Sequence, residues 1–185
     1  DFCLSRGLGD VYKRQVHGQE YRTKISTLRG DYRAPDGATS NRLRQWEKHD
    51  FKPRGDDIFQ ERTYCVQWKR RRKRGRRDEY EFRAVTEADH ARERIVEEVV
   101  AEHLAEWQAN GWVPDMRIEP GEKTDEPIRT RGWTYWHHLW PPRQLLTLTL
   151  ARQNITSAEE AVLFAAMLDN SSKLTRWNTF PARKQ

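Results

Sequence analysis

A run of nine residues from Lys69 to Arg77 (KRRRKRGRR) holds eight positive charges. Lysine and arginine are almost never fully buried without partners, so this run has to face solvent or a polyanion. The rest of the chain carries a formal net charge of −2, which is the chain's +6 less these eight charges. The basicity is therefore one local patch, and any fold of this chain has to keep that patch at its surface.

The segments on either side of the basic run alternate as the strands of a β-hairpin do. The alternating apolar and aromatic residues are Tyr64, Val66, Trp68, Tyr80 and Phe82. A period of two is typical of a half-buried antiparallel pair. The sequence therefore predicts a hairpin over residues 63–83, and its long basic connection is expected to project into solvent or onto a ligand.

A long helix is predicted after the hairpin. Thr86 and Asp89 have the spacing of a capping box, and Asn110-Gly111 is typical of a left-handed helix end. Between these ends, apolar residues recur at helical spacing: Ile95, Val96, Val99, Val100, Leu104 and Trp107. We expect about 24 residues of helix, some 36 Å long, with an apolar side in a core and an acidic side in solvent.

Two further helices are predicted near the C-terminus. Pro141-Pro142 suits the first turn of a helix, where the missing N–H costs nothing, and leucines follow it at 145, 146, 148 and 150. Ser157 and Glu160 form a second capping box. It begins a helix whose apolar residues are Val162, Leu163, Ala166 and Met167. Ahead of this pair, Trp133, Trp136 and Trp140 recur at near-helical spacing.

The composition limits how the core is built. Apolar residues make up 36% of the chain, its mean hydropathy is −1.05, and it has eight tryptophans, so the core has to rely on aromatic side chains. No apolar run approaches the roughly 20 residues of a membrane span. The predicted fold class is α+β with helices dominant: one basic-tipped β-hairpin, a long helix and a C-terminal helical pair, over residues 63–185.

The N-terminal part gives weaker signals. Back-translation of Ser5–Gln15 (SRGLGDVYKRQ) yields a string that resembles a transposase sequencing adapter read in frame. We interpret residues 1–15 as adapter sequence that is not native. The chain is then expected to be a fragment, cut before Val16 and after Gln185. Residues 16–62 read as a mostly irregular segment, with two helical turns expected over Asn41–Lys48 and Trp46 turned inward.

The eight cations of the basic run are the candidate nucleic-acid-binding residues: Lys69, Arg70, Arg71, Arg72, Lys73, Arg74, Arg76 and Arg77. If all of them met phosphates of duplex DNA, counterion release would give a salt slope of about −7. Trp68 and Tyr80, at the strand ends, are placed to pack on sugars or bases. The alternatives are a solvated loop that contacts nothing and a run that only resembles a localisation signal.

Two motifs resemble metal-binding or catalytic sites but lack the side chains that such sites require. His137-His138 has no Cys, Asp or Glu nearby at ligand spacing, and adjacent histidines point apart in a helix or strand, so we interpret them as structural. Trp140-Pro141-Pro142-Arg143 has the outline of the Asp/Asn-Pro-Pro-Tyr/Phe tetrad of amino-methyltransferases. Trp and Arg neither accept hydrogen bonds from the target amine nor stack on the flipped base. No catalytic residue and no metal ligand is predicted in this chain.

The sequence also lacks the residues for a disulfide, a structural zinc site or a cofactor-binding loop. Outside the adapter-like stretch Cys65 is the single cysteine, which permits neither a disulfide framework nor a four-ligand zinc site. No Gly-rich strand-to-helix loop for a nucleotide or S-adenosylmethionine is recognisable. We therefore expect no cofactor in this chain and a reducing, cytoplasmic location.

Five stretches of the chain carry a resemblance to a known family: YRTKISTLRGD (21–31), RQWEKHDF (44–51), VTEADHARE (85–93), IEPGEKTDEPIRTRGWTYWHHLWPPRQLL (118–146) and DNSSKLTRWN (169–178). In this order they resemble the large prokaryotic adenine-specific DNA methylases that carry a zinc-ribbon insert and an N-terminal domain of unknown function. Some of these proteins look like phage-defence proteins. Trp140-Pro141 departs from the family's usual aromatic residue and its neighbour before Pro-Arg-Gln-Leu-Leu.

The resemblance implies a position within a larger enzyme. The cofactor motif Asp-Pro-Phe-x-Gly-x-Gly and the zinc-ribbon would precede Val16, and the catalytic Asp-Pro-Pro-Tyr would follow Gln185. S-adenosylmethionine and zinc are then expected in the parent protein. The expected partners are DNA and the missing N- and C-terminal parts of the same protein, with no membrane. Residues that match the family motifs without a known role are Trp136, Pro142, Arg143, Gln144, Asn170, Arg176 and Trp177.

The leading hypothesis is a non-catalytic internal segment of a DNA adenine-N6 methyltransferase, which contributes DNA contact and braces the catalytic domain. One alternative is a free-standing nucleic-acid-binding module. Another is a structural or protein-interaction insert, for which neutralising the basic run would leave DNA affinity unchanged.

Overall fold

A computed structural model of the chain describes residues 11–16 in their backbone alone, and residues 19–70 and 79–174 in full. Helices dominate an α+β arrangement, as predicted. The strands are β1 (Val11–Val16), β2 (Gln19–Lys24), β3 (Tyr32–Arg33), β4 (Thr39–Ser40), β5 (Cys65–Arg70) and β6 (Glu79–Ala84). The helices are α1 (Ile25–Arg29), α2 (Glu87–Ala109), α3 (Asp125–Arg131), α4 (Pro142–Gln153) and α5 (Ala158–Ser171), with a 3-10 turn at Trp136–Leu139.

The described strands pair as three separate antiparallel hairpins, β1 with β2, β3 with β4 and β5 with β6. The described residues form two compact units whose segments alternate along the chain. The first unit takes residues up to 47, together with 53–60 and 117–134. The second unit takes 48–52, 61–116 and the residues from 135 onward.

In the first unit, the predicted helical turns over residues 41–48 are wrong, since residues 41–47 form no helix. The N–H of Trp46 donates to the carbonyl of Gly132 at 2.8 Å, and the Thr134 hydroxyl donates to the Trp46 carbonyl. Both main-chain groups of Trp46 are thus satisfied by the segment after α3 and not by a helix of their own. Trp46 is buried, as predicted, edge-to-face with Trp133 at 6.4 Å between ring centroids.

Gly132 allows the backbone around Arg44 to lie close to the end of α3. It ends α3 with a left-handed φ of 77°. A Cβ built on it would lie 2.1 Å from the carbonyl oxygen of Arg44, so no other residue fits there without a shift of backbone. Arg44 itself is held by a two-pronged ion pair with Asp57, at 2.7 Å for each nitrogen–oxygen contact.

In the second unit, α2 begins and ends where the sequence predicted. Thr86 and Asp89 make both bonds of the capping box, and Gly111 follows the helix with a φ of 68°. Val100, Leu104 and Trp107 are buried on one side of α2. Ile95, expected on that side, is exposed instead. At 100° per residue it lies about 140° around the helix from Val100, outside the buried stripe.

The core of the second unit forms where α2 meets α4. Its buried members are Val100, Leu104, Trp107, Val113 and Leu145. The partly buried side chains of Phe51, Val96, Val99, Trp112, Trp140 and Leu146 pack around them. Pro142 occupies the first turn of α4, as the sequence predicted.

The predicted capping box of α5 is also present, with Ser157 and Glu160 bonded in both directions. One side of α5 is half-buried through Phe164 and Leu168. Val162 and Leu163 on its other side are exposed. Among the described residues, no helix combines the length and the apolar character needed to cross a membrane.

Candidate nucleic-acid interface

The β5–β6 hairpin is the part of the described structure that leads into the basic run. Its strands pair from Cys65 opposite Ala84 to Arg70 opposite Glu79, which confirms the predicted hairpin. Lys69 and Arg70 lie at the end of β5. The other candidate residues, Arg71, Arg72, Lys73, Arg74, Arg76 and Arg77, lie outside the described residues.

The expectation that this hairpin is half-buried is wrong. Trp68 is 56% exposed, Tyr80 56% and Phe82 57%. The register gives the reason, since directly opposite residues of an antiparallel pair share a face. Trp68 lies opposite Glu81, whereas Phe82 lies opposite Gln67. The aromatic residues of the two strands therefore point to opposite faces, and neither face is apolar enough to cover a core.

One face, here called the Trp68 face, consists of Val66, Trp68, Arg70, Glu79, Glu81 and Arg83. The Arg83 guanidinium lies 5.7 Å from the centroid of the Trp68 ring. It also donates two hydrogen bonds to Glu81, at 2.9 and 3.0 Å, and these bonds, with its charge, lower the pKa of Glu81. With two arginines and two glutamates, this face has no net formal charge.

The opposite face, here called the Tyr80 face, consists of Cys65, Gln67, Lys69, Tyr80, Phe82 and Ala84. The Lys69 ammonium lies 5.9 Å from the centroid of the Tyr80 ring, within the range of a cation–π contact. No carboxylate belongs to this face, so its formal charge is that of Lys69. The two faces of one hairpin thus share aromatic character and differ in charge.

The histidine pair lies elsewhere in the second unit, fully buried in the 3-10 turn. His137 Nε2 is 3.1 Å from the carbonyl oxygen of Asp50, and its Nδ1 is 3.4 Å from the Gln108 amide nitrogen. Burial lowers the pKa of His137 to about 4, although the carbonyls of Asp50, Pro114 and Lys48 oppose the shift. The imidazole is therefore neutral near pH 7, as a structural histidine would be.

His138 corrects one expectation about this pair. Its ring lies 4.4 Å from that of His137 between centroids, so the adjacent side chains do not point apart. Successive residues of a 3-10 turn are separated by about 120°, so the contact depends on the direction of the His138 side chain, which its hydrogen bond within the turn fixes. His138 Nδ1 accepts a bond from the Tyr135 N–H at 3.2 Å. Within the described part of the chain, no three His, Cys, Asp or Glu side chains are grouped to hold a metal ion.

Three of the seven family-motif residues make hydrogen bonds that hold the helical part of the second unit together. Trp136 is half-buried, and its N–H donates to the Met116 carbonyl at 3.2 Å. Arg143 on α4 donates to Glu93 on α2, with 2.8 Å between Nε and Oε1. Asn170 donates to the Ala166 carbonyl one turn earlier in α5, at 2.8 Å. These contacts favour structural roles for all three residues.

The remaining family-motif residues divide between the described and the undescribed parts of the chain. Pro142 is buried at the start of α4, and Gln144, two residues later, is half-buried. Arg176 and Trp177 lie outside the described residues.

Lys173, which belongs to the last of the five family-like stretches, is a contact residue that no sequence pattern predicted. Its ammonium is 2.6 Å from Glu61 Oε1, and its side chain is largely buried. Burial lowers the pKa of Lys173, while the charge of Glu61 opposes that shift. The Lys173 N–H donates to the Leu139 carbonyl at 2.7 Å, which ties the end of α5 to the 3-10 turn. No local pattern links Lys173 to Glu61, because the two are far apart in sequence.

The resemblance implies S-adenosylmethionine in a parent protein, but the described residues do not fit it. The phosphate-binding and cofactor-binding loops of α/β enzymes join a parallel strand to a helix. The strands described here pair as antiparallel hairpins, and none of them continues into a helix through a Gly-rich loop.

No protein-family model, curated protein or solved structure matches this chain. The resemblance to adenine-specific DNA methylases therefore rests on the five sequence stretches alone.

Proposed function

We propose that this chain is a non-catalytic internal segment of a DNA adenine-N6 methyltransferase, in which the β5–β6 hairpin contacts DNA and the helices brace the catalytic domain. The observation that carries the DNA contact is the exposure of this hairpin on both faces, directly beside the basic run. A hairpin that covers no core is available to a ligand, and its charge suits a polyanion.

The charge argument begins with Lys69 and Arg70, which are exposed at the end of β5. The next seven residues add six more cations. Neutralising phosphates with such cations releases counterions from DNA, which makes the affinity steeply dependent on salt. Contacts of this kind hold a protein on the duplex without reading its sequence. The segment would therefore position DNA for the enzyme and leave target choice to other parts.

The bracing role is supported by α5. Residues 161–168 of this helix are apolar without interruption. A helix that is hydrophobic all round is typical of a buried position, yet Val162 and Leu163 are exposed. In a larger enzyme, the catalytic domain of the same polypeptide would cover this side.

Charge neutralisation tests the DNA contact. In the full chain, Arg70, Arg71 and Arg72 are replaced by Gln, and binding to a duplex oligonucleotide is measured by fluorescence anisotropy at several salt concentrations. We expect the slope of log affinity against log salt to flatten by roughly 2.7, or 0.9 for each lost phosphate contact.

The matched control replaces three exposed cations elsewhere, Arg92, Arg94 and Lys123, by Gln. It makes the same change in net charge and should leave the slope nearly unchanged. Equal slopes for the two triple variants would show that net charge alone attracts DNA. An unchanged affinity in the Arg70 variant would favour a structural or protein-interaction insert.

The assignment to a methyltransferase is tested at the source locus. A Gly-rich cofactor motif upstream and an Asp-Pro-Pro-Tyr motif downstream, both in the same reading frame, are expected. A start codon near Val16 and a stop codon after Gln185 would overturn the assignment and favour the free-standing binding module. The core cluster of the second unit is the observation in favour of that alternative, which predicts cooperative unfolding of residues 16–185 alone.

A further inference from the structure

We propose that the Tyr80 face of the β5–β6 hairpin is a stacking platform for two successive unpaired bases of one nucleic-acid strand. The inference rests on the proposed nucleic-acid contact and specifies the form of nucleic acid that this contact prefers. It is carried by the register of the hairpin, the exposure of Tyr80 and Phe82, and the charge difference between the two faces.

The spacing of the two rings favours an unstacked strand. Tyr80 and Phe82 are two residues apart in β6 and share a face. At about 3.3 Å per residue, their attachment points are roughly 6.6 Å apart. Successive bases of a duplex rise by about 3.4 Å, so neighbouring bases reach both rings only when the strand is extended and unstacked. A base within a duplex hides its flat surfaces in the stack and offers none to either ring.

The charge of the face suits the backbone of such a strand. Lys69 lies beside Tyr80 and provides a cation for a phosphate. Gln67, opposite Phe82, carries an amide that both donates and accepts hydrogen bonds, as a base edge requires. The Trp68 face is less suited, because Glu79 and Glu81 match the charges of Arg70 and Arg83 and leave it without net positive charge. A single strand should therefore bind across the Tyr80 face.

The exposure of both rings makes the platform testable without disturbing the core. In the full chain, Tyr80 and Phe82 are both replaced by Leu, which keeps apolar bulk and removes the aromatic surfaces. The probes are a labelled oligothymidine strand of roughly 16 nucleotides, within the site sizes of single-strand binders, and a duplex of equal length. We expect wild type to prefer the single strand, and the double variant to lose about tenfold or more of that affinity.

Two comparisons make the result specific to this face. Trp68→Leu removes an equally exposed ring from the other face and should leave the preference for the single strand over the duplex unchanged. Exchanging the rings, Tyr80→Phe with Phe82→Tyr, keeps both aromatic surfaces and should retain single-strand affinity. The double Leu variant should keep the wild-type salt slope, because no cation is removed. Far-UV circular dichroism verifies that each variant folds.

Three results would overturn the platform. The double Leu variant could lose affinity for both probes equally, Trp68→Leu could lose as much single-strand affinity as the double variant, or wild type could prefer the duplex. If wild type binds with a steep salt slope and the double variant keeps its single-strand affinity, only the platform fails. If wild type binds neither probe at low salt, the proposed nucleic-acid contact fails as well.

Discussion

The second unit holds two aromatic regions, the cluster around Trp107 in α2 and the β5–β6 hairpin, that use the same residue type in opposite ways. Trp107 is 6% exposed and packs with Val100, Leu104 and Leu145, whereas Trp68 is 56% exposed beside Arg83. A helix collects apolar residues from successive turns on one side. The hairpin register distributes its aromatic residues over two faces. Stability should therefore reside in the first region, and ligand contact in the second.

The largest expected effect comes from removing each tryptophan in turn. Trp107→Ala leaves a cavity in the core and should lower the free energy of unfolding by about 3–5 kcal/mol. Trp68→Ala should change it by less than about 0.5 kcal/mol, since surface side chains contribute little. Urea unfolding followed by far-UV circular dichroism measures both. Similar losses of unfolding free energy in the two variants would show that the hairpin contributes to stability as much as the core does.

Acid should destabilise the core region through His137. Its pKa is 6.5 in an unfolded chain and about 4 in the fold. Between these values the unfolded chain binds a proton that the folded chain does not, so stability is complete above pH 6.5 and falls as the pH decreases toward 4. The loss should be roughly 3 kcal/mol, measured by urea unfolding at a series of pH values.

The control for this pH dependence is a His137→Gln variant, which should lose most of the dependence whatever its stability at pH 7. His103→Gln, at an exposed site on α2, should keep the wild-type dependence. If His103→Gln flattened the curve as much as His137→Gln, the buried histidine would not be its source.

A smaller effect is expected at the start of α2. Thr86→Ala removes the side chain that accepts from the Asp89 N–H and should cost about 1 kcal/mol of unfolding free energy. Thr86→Ser keeps the hydroxyl and should restore most of that loss. Thermal unfolding of the three proteins provides the comparison, and an identical midpoint for Ala and wild type would show that the helix end contributes nothing.

The smallest effect is expected at the N-terminal β1–β2 hairpin. Deleting residues 1–15 removes most of β1, whose partner β2 is exposed along most of its length. We expect the free energy of unfolding to change by less than about 0.5 kcal/mol, in keeping with surface changes elsewhere. A loss comparable to that of Trp107→Ala would mean that this hairpin belongs to the structural core.

Features that depend on residues close together in sequence were predicted correctly, whereas a feature that depends on distant contacts was not. Local residues predicted both ends of α2, the start of α4 at Pro142 and the capping box of α5. Each of these features depends on residues within about one helical turn. The helix expected over residues 41–48 was wrong because Trp46 bonds to Gly132 and Thr134, which lie far along the chain. The candidate basic residues after Arg70 stay predictions, since they lie outside the described residues.

The sequence by itself determined where α2, α4, α5 and the β5–β6 hairpin lie, because caps, prolines and alternation act on the backbone within a few residues. Only the tertiary structure decided that Trp68 is exposed, that His137 and His138 touch, and that Lys173 pairs with Glu61. These outcomes depend on strand register and on contacts between distant segments. Burial and pairing are properties of the whole packed chain, whereas capping and alternation are properties of a single segment.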